Sequence, residues 1–188
     1  MEVSVVAAPA RTPQPADADA ARVAAALQDP REFLALYDRY FERVLGYVRI
    51  RIGDAATCED VTSDVFTTAL AQLGRFRGDG TFAGWLFQIT RNAVRDVQRL
   101  RMVEPLPEEV GAHGSELDNR LVEQERVDQL RRLVSSLEPD QQHLLALRYG
   151  AGLPFDEIGA VVGASAGAVR VRLHRLLHDL RERYPNDH

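Results

Sequence analysis

Five side chains that can grip a nucleic acid recur at three- and four-residue steps in one stretch: Gln88, Arg91, Asn92, Arg95 and Arg99. Guanidinium groups pair with phosphate oxygens, and amides bond to base edges or backbone oxygens, so the row suits a phosphate- and base-contacting surface. Opposite it, Phe82, Trp85, Leu86, Ile89, Ala93, Val97 and Leu100 repeat at the helical period and predict one apolar stripe. Trp85 falls inside that stripe and is assigned to the core. Just ahead of the helix lies a short basic loop with one aromatic, Arg75-Phe76-Arg77-Gly78-Asp79-Gly80. A solvated amphipathic helix has the same pattern, so this stretch alone leaves both readings open.

A second basic constellation lies near the C-terminus, in FDEIGAVVGASAGAVRVRLHRLLHDLRE. It reads as a short helix, a turn at Gly163, a serine N-cap at Ser165 and a longer helix. Ile158, Val161 and Val162 are expected to pack against Val169, Leu173 and Leu176. That is a helix-turn-helix arrangement, whose second helix enters the major groove with its N-terminal residues at the base edges. Candidate contacts are Ser165, Ala166, Gly167 and Ala168 at the tip, then Arg170, Arg172, His174 and Arg175 along the exposed side. An ordinary helical hairpin with a basic solvated face is the alternative.

Other chemistry finds no constellation. His174 and His178 are spaced as metal ligands can be, but a third and fourth ligand are missing. Cys58, the single cysteine, precedes Glu59 and Asp60, which disfavour a thiolate. There is no Walker-type phosphate loop and no nucleophile elbow. No enzyme activity, metal or cofactor is therefore expected. One cysteine also excludes an intrachain disulfide and fits a reducing compartment. No apolar run approaches the roughly 18 residues of a membrane span. The start, MEVSVVAAPA, has an acid where an export signal needs a positive charge, so a cytoplasmic location without membrane insertion is expected.

The 188 residues allow one domain or two small ones, and 45% hydrophobic content is ordinary for a globular chain. A net charge of -5 looks wrong for a nucleic-acid binder, but the charge is segregated. Residues 75–101 hold six arginines against Asp79 and Asp96; residues 102–130 hold two arginines against eight acids; residues 166–183 hold five arginines against Asp179 and Glu182. Salt cuts off remote charge within about 8–10 Å, so the local patches decide where a polyanion docks.

The elements that must position these groups are all helical. Residues 1–30 form an N-terminal extension read as flexible, with a helix possible from near Ala18 up to Pro30. From Arg31 a long aromatic-rich face carries Phe33, Leu34, Leu36, Tyr37, Tyr40, Phe41, Val44, Leu45, Val48 and Ile52, ending at Gly53-Asp54. The next helix, about Ala56 to Leu73, points Val61, Val65, Phe66, Ala69, Leu70 and Leu73 inward and Glu59, Asp60, Ser63, Asp64 and Thr67 outward. Residues 102–119 carry Pro105, Pro107, Gly111 and Gly114 amid acids, which is linker chemistry. Helices follow over Leu117–Leu137, from Pro139 through Leu144, Leu145, Leu147 and Tyr149 to Gly150, over Pro154–Val162 and over Ser165–Arg183. The fold expected is all-α: a bundle over 31–101, a flexible acidic linker over 102–119 and a second bundle over 120–188.

Taken together, these pieces resemble the group IV, extracytoplasmic-function (ECF) sigma factors of bacterial RNA polymerase, over nearly all of Phe33 to Arg183. FLALYDRYFERVLGYV with CEDVTSDVFTTAL looks like regions 2.1 and 2.2, and FRGDGTFAGWLFQITRNAVRD like regions 2.3 and 2.4. SLEPDQQHLLALRYGAGLPFDEIGAVVGASAGAVRVRLHRLLHDLR looks like region 4.

The resemblance implies roles. Glu59, Asp60 and Asp64 would dock on the β′ clamp helices of core RNA polymerase, whose β flap is the expected partner of region 4. Arg75, Phe76, Arg77, Gln88, Arg91, Asn92, Arg95 and Arg99 would engage the −10 element. Phe76 would stack on an unstacked base, Asn92 donate to base or backbone, and the arginines contact phosphate. Ser165, Gly167, Ala168, Arg170, Arg172, His174 and Arg175 would engage the −35 element. The acidic linker would thread toward the polymerase cleft. An anti-sigma factor is a possible further partner. The chain departs from the family at Gly159, where alanine is usual, and at Ala168, where threonine is usual. A free-standing helix-turn-helix regulator is the competing function class.

Overall fold

Proline and glycine punctuation sets the order of the helices. The structure is a computed structural model and describes residues 19–78, 80–103, 129 and 132–183. Helix α1 (Ala20–Gln28) ends ahead of Pro30, and a 3-10 turn over Pro30–Glu32 leads into α2 (Phe33–Ile52). Gly53, at a φ of 86°, stops α2, and Asp54 caps α3 (Ala55–Gln72) by accepting a hydrogen bond from the Thr57 amide at 2.8 Å. A 3-10 turn over Leu73–Arg75 opens the basic loop, and α4 covers Phe82–Val103. Pro139 starts α5 (Pro139–Leu145), which widens into a π turn over Ala146–Gly150. Then come α6 (Phe155–Val162) and α7 (Ala166–Arg183). Every described element is helical, and no described helix is long and apolar enough to cross a membrane.

The predicted linker beyond Val103 and most of the helix predicted over Leu117–Leu137 lie outside the described residues, as do residues 1–18 of the N-terminal extension. Helix α4 continues past the expected boundary at Arg101, as far as Val103.

α2 is the centre of the packing. Leu36, Tyr40, Val44, Tyr47 and Val48 are buried, and α2 contacts α1, α3, α4 and the π turn. The two bundles share one continuous hydrophobic core, with Leu147, Leu153 and Ile158 fully buried in the second. At one point the two bundles meet backbone on backbone. A Cβ on Gly46 would lie 2.2 Å from the Gly150 carbonyl oxygen, and one on Gly150 would lie 2.4 Å from the Gly46 oxygen. Only glycine at both positions allows this contact.

Several inward assignments are corrected. Leu34, Leu70 and Tyr149 are exposed, and Leu100 is 68% exposed. In α4 the buried row is Phe82, Leu86, Phe87, Thr90 and Val94, while Trp85, Ile89, Ala93 and Val97 are half-buried. The stripe read from hydrophobicity alone was therefore turned toward one flank. Thr90 accounts for part of the shift, because its hydroxyl bonds back to the Leu86 carbonyl at 2.9 Å and tolerates burial.

Candidate nucleic-acid interface

The loop-helix junction is built by Thr81. Its hydroxyl accepts a hydrogen bond from the Gly84 amide at 3.1 Å, and its carbonyl accepts from the Trp85 amide at 3.1 Å, so it caps α4. Gly78 supplies the left-handed conformation, φ 73°, that brings the loop back over the start of the helix. Phe76 then packs against Trp85 at 5.5 Å between ring centroids and edge-on to Phe82 at 6.1 Å; Phe82 and Trp85 lie 5.7 Å apart. Phe76 and Trp85, backed by the buried Phe82, floor a groove of about 360 Å³, also lined by Arg75, Arg77, Gln88 and, across the gap, Ala160 and Val161 of α6. Trp85 is thus half-buried: it packs against the core, as assigned, and also forms part of the groove wall. The aromatic spacing 76, 82, 85 was the signal for it, overridden by the helical period.

The polar row of α4 faces away from the core as predicted. Gln88, Asn92, Arg95 and Arg99 are exposed, and Arg91 is half-buried. Gln88 donates to Asn92 at 3.5 Å, and Arg99 pairs with Asp96. Arg75, Arg77 and Arg95 hold no ion pair among the described residues. Arg91 is committed differently: it donates to Asp140 at the start of α5, at 2.6 Å. Asp140 therefore draws one predicted phosphate contact toward the second bundle.

Two further contacts cross the same seam. Arg43 of α2 pairs with Glu157 of α6 at 3.1 Å, and the buried Tyr47 hydroxyl and His143 Nδ1 share a hydrogen bond of 2.7 Å. Burial, with the cations Arg91 and Arg51 nearby, pushes the His143 imidazole down to about 4, so it is neutral at physiological pH. Burial pushes the Tyr47 phenol up to about 12. Nothing in the hydrophobic pattern singled out this pair, because a tyrosine on an apolar face and a histidine in a helix are each unremarkable alone.

In the helix-turn-helix, Gly163 adopts φ 68° as expected, and the Ser165 hydroxyl accepts from the Ala168 amide at 3.2 Å. Ile158, Val169, Leu173 and Leu176 are buried, with Val161 and Val162 half-buried. Ser165, Gly167, Arg170, Arg172, His174 and Arg175 are exposed and Ala168 is half-buried. Arg170 lies 5.0 Å from the Phe155 ring centroid, with Arg148 at 4.6 Å from the same ring, so it braces the motif as well as facing outward. The departure at Gly159 has a local cause: a Cβ there would meet the Ala164 carbonyl oxygen at 2.5 Å.

Glu59, Asp60 and Asp64 are all exposed on α3. Cys58 beside them is buried, and burial pushes its thiol up, as expected for an inert cysteine.

The models for Sigma-70 region 2 and for Sigma-70, region 4 match residues 36–102 and 133–182, together more than half of the chain. The chain is 32% identical over 183 residues to the ECF RNA polymerase sigma factor BldN of Streptomyces coelicolor, covering 92% of this chain and 69% of BldN. It is 32% identical over 158 residues to the RNA polymerase sigma factor CarQ of Myxococcus xanthus, covering 80% and 87% respectively. In fold it is similar to CnrH, solved in complex with the cytosolic domain of CnrY, with a TM-score of 0.67, 24% identity and coverage of 92% and 100%. Two basic helical surfaces on one chain, one with an aromatic groove and one on a helix-turn-helix, fit a factor that reads two promoter elements better than a free-standing regulator. The chain belongs to the ECF group of RNA polymerase sigma factors.

Proposed function

We propose that this sigma factor divides promoter reading between the aromatic groove at the start of α4 and the tip of α7. The observation that carries the proposal is the groove itself. Phe76 and Trp85 form an aromatic wall beside exposed Arg75, Arg77 and Gln88, which suits an unstacked base held against rings with its phosphates on guanidinium groups. Asn92, Arg95 and Arg99 continue the track along α4 for the non-template strand of the −10 element. At the start of α7, its cap Ser165 with Gly167 and Ala168 approach the backbone, and Arg172, His174 and Arg175 face the −35 major groove. The exposed acids Glu59, Asp60 and Asp64 dock on the β′ clamp helices of core polymerase, and the second bundle engages the β flap. These steps take place in the cytoplasm, where the polymerase works.

The docked arrangement of the two bundles adds a condition. With Arg91 on Asp140 and α6 forming one side of the groove, the −10 surface is partly occupied from within. A B-form duplex rises about 3.4 Å per base pair, so elements some 25 base pairs apart lie about 85 Å from each other. The second bundle therefore leaves the first before both are read, and an anti-sigma factor would act by holding the docked form.

Run-off transcription with core polymerase and the purified chain, with permanganate mapping of unpaired thymines, tests the reading. Start-site-specific transcripts and −10 reactivity that need both components support it. Tight, specific promoter binding by the chain alone would overturn it.

A further inference from the structure

The family model begins at residue 36, yet the chain ahead of it is built into the −10 reader. Asp19, just before α1, is 2% exposed, and its carboxylate accepts a hydrogen bond from the Tyr40 hydroxyl at 2.5 Å. Arg39 Nε, at 3.2 Å, and an Arg22 guanidinium nitrogen, at 3.3 Å, neutralise it. Tyr40, also 2% exposed, packs edge-on to Phe82 at 5.5 Å. Phe82 in turn supports both rings of the groove, Phe76 and Trp85. Helix α1 buries Val23 and Ala26 and contacts the 3-10 turn at Leu73–Arg75 from which the basic loop departs.

We infer that Asp19 is a positioning residue for −10 recognition: it fixes the Tyr40 ring, and through Phe82 it fixes the aromatic wall against which the promoter base is held. The inference rests on the groove being the base-binding site. A core that needed only filling would be served by an apolar contact. Here a carboxylate with two arginine partners is buried beside a tyrosine hydroxyl, an arrangement that specifies orientation more than it adds stability. Removing the carboxylate leaves the Tyr40 hydroxyl without this acceptor in a buried position, and the ring must shift to satisfy it. Phe82 is fully buried against that ring and follows it.

The test uses the full chain assembled with core polymerase on a promoter, and a second template that is abasic at the captured −10 position. Asp19→Ala is expected to reduce open-complex formation on the intact template by about tenfold, with core affinity unchanged, and the deficit is expected to vanish on the abasic template. Tyr40→Phe, which keeps the ring, gives a smaller deficit of the same base dependence and serves if Asp19→Ala fails to fold. Asp19→Glu restores part of the loss. Unchanged opening by both variants overturns the inference, as does an equal deficit on both templates, which would mark a general loss of fold. If the wild-type chain with core polymerase opens the intact and abasic templates equally well, the base-binding reading itself fails, and the two failures are told apart.

Discussion

Tyr47 and His143, 96 residues apart, share a buried hydrogen bond of 2.7 Å that joins α2 of the first bundle to α5 of the second. The ring is held neutral: burial and the nearby Arg91 and Arg51 put its pKa at about 4, below the ordinary value of about 6.5. A group depressed in the docked state contributes stability fully above its free pKa and loses it as pH falls toward the docked value. Docking should therefore be intact at pH 7.5 and weaken as pH falls from about 6.5 toward 4. Small-angle scattering would show the radius of gyration rising on acidification. In His143→Gln that pH dependence should flatten.

Gly46→Ala should separate the bundles without unfolding either. The added methyl points into the Gly150 carbonyl, where no rotamer relieves the clash, and overpacking of this kind costs about 1–3 kcal/mol. The radius of gyration should increase while the helical circular dichroism stays constant. An unchanged radius would contradict the docked arrangement.

Asp60→Arg should leave the fold intact, because the side chain is exposed, and reduce affinity for core polymerase by about tenfold through like-charge opposition. Equal co-purification of variant and wild type would remove Asp60 from the docking face.

Asn92→Ala combined with Arg95→Ala should impair promoter opening by about 1–3 kcal/mol with little change in core binding. Permanganate reactivity at the −10 thymines reports it, and undiminished reactivity would exclude these two residues from the track.

Arg175→Ala should weaken −35 engagement by about 1–3 kcal/mol and relax preference at one base pair. Arg170→Ala should act mainly on the melting temperature of the helix-turn-helix, since its guanidinium lies over Phe155. Footprints at matched salt and thermal melts separate the two. Identical footprints for Arg175→Ala would deny it a base contact.

Much of this was legible in the sequence, for physical reasons that differ from element to element. Gly53 and Gly163 take positive φ angles that few other residues tolerate, and Pro139 carries a preset helical φ with no N–H to satisfy at the first turn, so the helix limits they set were readable. The polar row Gln88, Asn92, Arg95 and Arg99 was readable because charges and unpaired amides resist burial wherever the helix packs. The groove face of Trp85 was missed because hydrophobicity records what a residue tolerates and not which neighbour it meets; the groove needs α6, whose approach only tertiary structure supplies. Asp19 escaped for the same reason. An acid in an alanine-rich segment gives no hint that a tyrosine on another helix is waiting for it. Gly159 looked like a departure from the family, yet it is the residue that lets the chain turn tightly at Ala164.

The contact between Gly46 and Gly150 joins two parts of one chain, so its strength is set by effective concentration and not by how much protein is present. Dilution leaves the bundles together. At neutral pH a partner with a higher affinity for the separated form parts them, and whatever free energy the contact holds is subtracted from the observed affinity of that partner. A pair of glycines can in this way set the observed affinity for any partner that needs the bundles apart.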